Sequence, residues 1–223
     1  MQAKPIFRDR TEAGRALASA LKHFEDDPDV LVLALPRGGL PVAVEVARAL
    51  GAPLDVFVVR KLGVPGHEEL AMGAIASGDR ITLNDDVVSE AGVRQHEIDE
   101  VVGRERRELL RRERAYRGER PPPTIEGRTV ILIDDGVATG ASMRAAVLSL
   151  REQRPKRLVV AVPVAAARTC GELRREADEV ICFRSPEPFL GVGVWYADFS
   201  QTTDAEVSAL LKRASEPARR ARP

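Results

Sequence analysis

The sequence predicts an α/β fold in which a doubly wound, mostly parallel sheet is flanked by helices. Four runs of apolar, often β-branched residues are typical of strands buried on both faces of such a sheet. They lie at 30–35, 55–60, 129–134 and 158–164. Helical periodicity at 40–50 and 141–152 alternates with these runs, as in βαβ units. A fifth strand is predicted at 179–183, after a short helix at 166–176.

Composition limits the class of protein. The chain has 223 residues, of which 44% are hydrophobic and 4% aromatic, typical of one soluble domain with a well-buried core. Its 34 Lys and Arg balance its 34 Asp and Glu, so net charge favours neither nucleic acid nor a membrane surface as a partner. The sequence shows neither a membrane-spanning apolar run nor an apolar leader, so we expect a cytoplasmic protein.

The two cysteines, Cys170 and Cys182, have no further Cys or His at metal-ligand spacing. This pattern argues against a zinc site and against a disulfide framework. We therefore expect two reduced cysteines that pack as small hydrophobic side chains.

The organisation predicted along the chain is a single domain over residues 1–214 with a disordered tail at 215–223. The core is expected at about 28–165. Residues 61–84 contain four glycines and a proline, which predict a flexible loop with a short hairpin. The charged segment 86–118 predicts one long helix, and its interleaved Glu residues favour a solvated face or a subunit contact over a nucleic-acid surface.

Residues 130–142, VILIDDGVATGAS, combine the features of a sugar-phosphate site. The apolar run leads into Asp134 and Asp135, and ionised carboxylates accept hydrogen bonds from the vicinal hydroxyls of a ribose. The turn that follows opens a helix, whose unpaired N–H groups and positive dipole end bind phosphate. The alternative is an ordinary turn in which Thr139 or Ser142 caps the helix.

A second turn, Pro36-Arg37-Gly38-Gly39, follows the first predicted strand. The forked guanidinium of Arg37 suits the oxygens of a pyrophosphate, although an isolated Arg-Gly-Gly sequence is more often a simple turn. Arg60 and Lys61 end the second predicted strand and supply two further cations for the same anion. Ligands of such sheets bind beyond the carboxyl ends of the strands, where all these residues are expected.

The 130–142 stretch resembles the signature of the type I phosphoribosyltransferases that binds PRPP, the pyrophosphate ester of ribose 5-phosphate. In that signature an apolar strand and two acids precede a turn ending in Thr-Gly-x-Ser or Thr-Gly-x-Thr. The resemblance implies that Asp134 and Asp135 hold the ribose hydroxyls, and that the following turn binds the 5-phosphate. The PRPP-binding residues it implies are Gly136, Val137, Ala138, Thr139, Gly140, Ala141 and Ser142, with Pro36, Gly38, Gly39 and Arg60 for the pyrophosphate.

The same family is similar to this chain in two further respects. The 36–39 turn matches the family's pyrophosphate loop, which often contains a cis peptide. The 61–84 segment matches in position the loop that closes over the active site. The resemblance therefore implies a phosphoribosyltransferase-like fold with a small C-terminal hood, at 180–207.

Aromatic residues cluster in the predicted hood, and a hydrophobic core explains most of them. The order of aromatic, Val-Gly and Asp residues nevertheless resembles the hood of the purine phosphoribosyltransferases. This implies that Phe189 stacks on the base and that Asp198, together with Asp134, lies at the metal. The hypoxanthine-guanine enzymes have a base-reading Lys where this chain has Ala165, Ala166 and Ala167, so a preference for 6-oxo purines is not implied.

These features predict an enzyme that transfers ribose 5-phosphate from PRPP to a nitrogenous base and releases pyrophosphate. Its cofactor is expected to be Mg²⁺, its catalytic residues Asp134, Asp135, Arg37 and Lys61, and its assembly a homodimer that binds neither nucleic acid nor a membrane. One alternative is a regulatory protein that senses PRPP or a nucleotide on the same fold. Another is a phosphohydrolase or a PRPP-forming kinase, although the chain shows no second ATP-binding element.

Overall fold

The computed structural model describes residues 4–215, which contain eight strands and seven α-helices. The strands are β1 (Val30–Ala34), β2 (Leu54–Val56), β3 (Val59–Val64), β4 (His67–Ala76), β5 (Arg80–Leu83), β6 (Thr129–Ile133), β7 (Arg157–Val164) and β8 (Glu179–Arg184). The helices are α1 (Arg10–Ala20), α2 (Gly39–Leu50), α3 (Asp85–Glu90), α4 (Gln95–Arg117), α5 (Ala141–Glu152), α6 (Ala167–Leu173) and α7 (Asp204–Ser215). Short 3-10 helices lie at Lys22–Phe24 and Gly193–Trp195.

The central sheet is parallel and has five strands in the order β2-β1-β6-β7-β8, which confirms the predicted α/β class. Every residue of β1 and β6 is buried, because helices cover both faces of the sheet, and this explains their continuous apolar runs. The two strands pair in register from Val30 opposite Thr129 to Ala34 opposite Ile133. Their carboxyl ends therefore lie side by side, although about a hundred residues separate them in the sequence.

The single strand predicted at 55–60 is wrong, because two strands of different sheets share this run. β2 ends at Val56 and pairs with β1, whereas β3 begins at Val59 and pairs with β4. Phe57 and Val58 cross between the two sheets and are buried. The N–H of Phe57 donates to the carbonyl of Ala34 and that of Val58 to the Ser77 hydroxyl, so the crossing satisfies its backbone.

Residues 61–84 are not an irregular loop, since β3, β4 and β5 form a three-stranded antiparallel sheet there. Leu62, Val64, Met72 and Ile75 bury their side chains in the main hydrophobic core and hold this sheet on the domain. The pairing of β3 with β4 shifts near Gly63, as at a β-bulge. Movement of the segment over a ligand stays a prediction.

The charged segment expected to form one helix at 86–118 contains two helices, so the predicted single helix is wrong. Gly92 takes a positive φ of 61° between α3 and α4. Each helix then has its own start: the Asn84 side chain accepts from the N–H of Val87, and the Glu97 side chain accepts from the N–H of Arg94.

Cys170 and Cys182 form a disulfide between α6 and β8, with 6.5 Å between their Cα atoms. The expectation of two reduced cysteines is therefore wrong. Sequence spacing did not reveal the bond, because it depends on α6 packing beside the last strand of the sheet.

Residues 1–3 of the predicted domain and residues 216–223 of the predicted tail lie outside the described part, and residue 215 ends α7. Within residues 4–215, no helix combines the length and the apolar character needed to cross a membrane.

A buried ion pair fixes the end of α4 to the edge strand β2. The guanidinium of Arg117 donates from Nε to Asp55 Oδ1 over 3.0 Å and from Nη2 to the carbonyl of Val56 over 2.9 Å. Only 5% of the Arg117 side chain and 11% of the Asp55 side chain are exposed. Glu113, one turn earlier on α4, lies 3.3 Å from the same guanidinium.

Replacing Asp55 with Ala should lower the free energy of unfolding by about 3–5 kcal/mol, because it leaves a buried guanidinium without its main partner. Urea denaturation measures the change. The matched control is Glu126→Ala, which removes an exposed ion pair with Arg154 and should cost less than about 1 kcal/mol. Equal effects of the two substitutions would contradict the structural role of the buried pair.

Candidate active site

An acid pair follows β6 directly. Oδ1 of Asp134 accepts the backbone N–H of Asp135 over 2.8 Å. Oδ2 of Asp135 accepts Nε of Arg10 over 2.8 Å, and the backbone carbonyl of Asp135 accepts the hydroxyl of Tyr196. Sequence reasoning missed Arg10 and Tyr196, since 125 and 61 residues separate them from Asp135.

Burial and mutual repulsion set the electrostatics of this pair. Burial, and then the charge of Asp135, raise the pKa of the Asp134 carboxyl well above its usual range. Burial also raises the pKa of the Asp135 carboxyl, while the Arg10 guanidinium acts in the opposite direction. Carboxylates that have lost much of their water are stabilised by new hydrogen-bond donors, so this place favours a ligand with hydroxyl groups.

The two predicted turns are in contact. The N–H of Leu35 donates to the carbonyl of Ile133 over 2.8 Å and continues the β1–β6 ladder past its last residues. A Cβ on Gly38 would lie 2.0 Å from Asp135 Oδ2, and one on Gly39 would lie 2.7 Å from the Ile133 carbonyl oxygen. Only glycine therefore allows the 36–39 turn to lie against the acid pair.

The peptide between Pro36 and Arg37 is cis, which matches the feature of the family's pyrophosphate loop implied by the resemblance.

The turn after the acid pair encloses an open cavity of about 160 Å³. It is lined by Asp134 and by Gly136, Val137, Ala138, Thr139, Gly140, Ala141, Ser142 and Met143. Gly140, with φ 80°, is the N-cap of α5, and no side chain caps this helix. Neither Thr139 nor Ser142 is used as a cap, so the first N–H groups of α5 remain for an anion. The hydroxyl of Thr169 donates to the carbonyl of Ala138 over 2.6 Å and holds the turn from behind.

One of the three predicted cations lies on the turns just described. Arg37 belongs to the 36–39 turn, and its Nη1 lies 3.9 Å from Asp204 Oδ1. Arg60 instead donates twice to Glu105 on α4, over 2.6 and 2.9 Å. Lys61 lies on β3 and its Nζ is 3.2 Å from Glu69 Oε2. The contacts of Arg60 and Lys61 connect them to neighbouring acids rather than to the acid pair.

Phe189, the predicted base-binding residue, lies beside the alanines that replace the base-reading Lys of the hypoxanthine-guanine enzymes. Phe189 lines an open groove of about 620 Å³ together with Ala166, Ala167 and Arg168. The hood also contacts the acid-pair turn, since a Cβ on Gly136 would meet both Val164 and the hood residue Val192. The structure therefore brings Phe189 of the hood together with residues 166–168.

Asp198 and Asp134, the two predicted metal ligands, line different cavities. Asp198 is exposed and lies with Asp9 and Arg10 in a cavity of about 360 Å³, whereas Asp134 lines the turn cavity. The backbone N–H of Ser200 lowers the pKa of the Asp198 carboxyl. Among residues 4–215, no group of three or more His, Cys, Asp or Glu side chains could hold a metal ion.

The fold and the paired turns agree with the resemblance to the phosphoribosyltransferases. A family model described as phosphoribosyl transferase domain matches residues 9–197. The chain therefore belongs to the phosphoribosyltransferase family, and the resemblance seen in the sequence is confirmed.

Relatives agree with this assignment. Two Mycobacterium tuberculosis proteins, from strains H37Rv and CDC 1551, carry the name "Putative phosphoribosyl transferase" and are each 44% identical to the chain over 209 residues. The matched region covers 94% of this chain and 47% of each relative, so the chain spans about half the length of these proteins. A crystal structure of TT1426 from Thermus thermophilus is 44% identical, with a TM-score of 0.83 over 93% of this chain and 98% of that one.

Substitution of Gly38 by Ala tests the contact between the two turns. The φ of Gly38 is −64°, which Ala adopts without strain, so the clash with Asp135 is the main effect. Overpacking of this kind should lower the free energy of unfolding by about 1–3 kcal/mol, measured by urea denaturation.

Gly103→Ala on α4 is the matched control, because a Cβ there would meet only Arg107 Nη1, at 3.8 Å. It should raise the free energy of unfolding by about 0.5–1 kcal/mol. A stabilising effect of Gly38→Ala similar to that of Gly103→Ala would contradict the close packing of the turns.

Proposed function

We propose that this protein transfers ribose 5-phosphate from PRPP to a nitrogenous base and releases pyrophosphate. The observation that carries the proposal is the packing of the 36–39 turn against Asp135, with Gly38 in contact with the carboxylate. One face thus presents hydroxyl acceptors, an uncapped helix start and an Arg-containing turn. PRPP requires these three kinds of partner, for its ribose, its 5-phosphate and its pyrophosphate.

In this proposal the acid pair binds the ribose and the start of α5 binds the 5-phosphate. The ribose hydroxyls donate to Asp134 and Asp135, whose side chains are only partly exposed in the free protein. Backbone N–H groups of the 138–142 turn bind the phosphate, and the turn is held from behind by Thr169. Fixing the sugar at both ends would orient its anomeric carbon for attack by the base, and such positioning can supply much of an enzyme's rate enhancement.

Arg37 is the residue proposed to stabilise the leaving pyrophosphate. Its ion pair with Asp204 is long and partly exposed, so the guanidinium can reorient towards an incoming anion. Roles for Lys61 and Arg60 require them to leave Glu69 and Glu105. The exposed Lys61 pair is the more easily exchanged of the two, because less than a third of the Arg60 side chain is exposed.

Mg²⁺ is proposed to bind together with the pyrophosphate. The carboxylate oxygens of Asp134 are the hard donors that Mg²⁺ prefers, so the residues fit the ion. The described residues offer no complete cage, so water and pyrophosphate oxygens would supply most of its ligands. When bound, the ion would neutralise charge on the leaving group. Asp198 lies in a separate cavity and would have to move to reach it.

The acceptor is proposed to bind in the groove lined by Phe189. Stacking on its ring is worth about 1–3 kcal/mol and accepts any π face, so polar groups must select the base. Ala166 and Ala167 line the groove where the hypoxanthine-guanine enzymes have a Lys, which leaves a 6-oxo group without that donor.

Asp134→Asn should weaken PRPP binding by about 10- to 100-fold, because a charged hydrogen bond is worth about 1.5–3 kcal/mol. The amide oxygen of Asn can still accept the N–H of Asp135, so the fold should be kept. Calorimetric titration with PRPP measures the loss, and Asp86→Asn, which changes an exposed acid on α3, is the control. Unchanged affinity in Asp134→Asn would refute the assignment of the acid pair to the ribose.

Purine, pyrimidine and pyridine bases incubated with PRPP and Mg²⁺ should include at least one that releases pyrophosphate, and excess chelator should abolish the release. Hypoxanthine and guanine should be poor acceptors. Conversion of either at about 10⁴ M⁻¹s⁻¹ or faster would refute the assignment of the groove residues. Tight PRPP binding without turnover of any base would instead support a PRPP-sensing regulatory protein.

A further inference from the structure

Arg10, the first residue of α1, has three contacts that hold its side chain beside the acid pair. Its Nε donates to Asp135 Oδ2 over 2.8 Å, and its Nη1 donates to the carbonyl of Ser200 over 2.7 Å. Its guanidinium carbon lies 4.0 Å from the centre of the Phe199 ring. Only 12% of the Arg10 side chain and 13% of the Asp135 side chain are exposed, so solvent screens this ion pair weakly.

The backbone before α1 fixes where Arg10 lies. The N–H groups of Ile6 and Phe7 donate to the carbonyl of Trp195, and the carbonyl of Phe7 accepts from Ala197. The carbonyl of Arg8 accepts from Asp198. These bonds form a short ladder between residues 6–8 and the hood, and Arg10 follows it after Asp9, the N-cap of α1.

Asp135 is held on three sides. Arg10 bonds its Oδ2, Gly38 packs against the same oxygen, and the hydroxyl of Tyr196 donates to its backbone carbonyl. The carboxylate therefore cannot change rotamer without breaking a charged hydrogen bond. A ligand hydroxyl would then be accepted by Oδ1, since Oδ2 already accepts from Arg10.

We propose that Arg10 is a positioning residue for ribose recognition, which it serves by holding Oδ2 of Asp135 so that Oδ1 and the neighbouring Asp134 face one ribose. This inference rests on the proposed function, because it assigns Arg10 to the same site. It also explains how two carboxylates in one buried place are kept together: the guanidinium compensates part of their charge. Arg10 itself reaches Asp135 from the side of the hood and is not required to touch the ligand.

Three variants separate positioning from general structural support. Arg10→Gln removes both the charge and the planar guanidinium group, whereas Arg10→Lys keeps the charge but lacks the planar group. Arg15→Gln is the matched control on the same helix. Arg15 also has an Nε–carboxylate ion pair, with Glu45 over 2.9 Å, but 63% of its side chain is exposed. Calorimetric titration of each variant with PRPP and Mg²⁺, ribose 5-phosphate, and pyrophosphate and Mg²⁺ gives the readout.

We expect Arg10→Gln to weaken binding of PRPP and ribose 5-phosphate by about 10- to 100-fold, and Arg10→Lys to recover part of that loss. Pyrophosphate has no ribose, so its affinity should change by less than about threefold in every variant. Arg15→Gln should bind all three ligands as the wild type does.

Several outcomes would overturn the inference. Wild-type affinity of Arg10→Gln for ribose 5-phosphate would refute it, and so would an equal loss of affinity for pyrophosphate, which indicates general damage to the site. If Arg10→Gln does not fold, Arg10→Lys decides, and unchanged ribose 5-phosphate affinity in that variant refutes the role. Failure of the wild-type protein itself to bind PRPP and ribose 5-phosphate would refute the proposed function and, with it, the role of Arg10.

Discussion

The adjacency of β1 and β6 in the parallel sheet is the constraint on which the rest of the site depends. Because the strands pair in register, the turn after each one begins at the same edge, and Leu35 continues their ladder onto Ile133. The absence of a side chain at Gly38 and Gly39 then allows the turns to touch. Ligands of parallel sheets bind beyond the carboxyl ends of the strands. The adjacency of β1 and β6 therefore brings the acid pair, the start of α5 and Arg37 onto one face.

Residues outside the sheet hold both turns through ion pairs and hydrogen bonds. Arg10 and Tyr196 hold Asp135 from the start of α1 and from the hood. Asp204 at the start of α7 accepts the hydroxyl of Tyr116 over 2.8 Å and lies within 3.9 Å of Arg37. Burial raises the pKa of the Tyr116 hydroxyl to about 12, so it stays protonated and donates at neutral pH. The site is thus closed by contacts among residues that are distant in sequence.

Local sequence patterns predicted the sheet and both turns because apolar runs and glycine positions report burial and close approach directly. They could not predict that the apolar run at 55–60 contains parts of two strands. The run divides because β3 pairs with β4 rather than with the parallel sheet. Arg60 has the composition and position of an anion ligand, yet Glu105 on α4 binds it. Arg10 and the Cys170–Cys182 disulfide depend on tertiary packing, which no short spacing encodes.

A crystal structure of the protein with ribose 5-phosphate tests the central claim most directly, because it locates both ends of the sugar in one measurement. The account predicts the phosphate at the backbone N–H groups of the 138–142 turn, with the ribose hydroxyls bonded to Asp134 and to Oδ1 of Asp135. A phosphate bound elsewhere, or a ribose that leaves the acid pair without contacts, would contradict it.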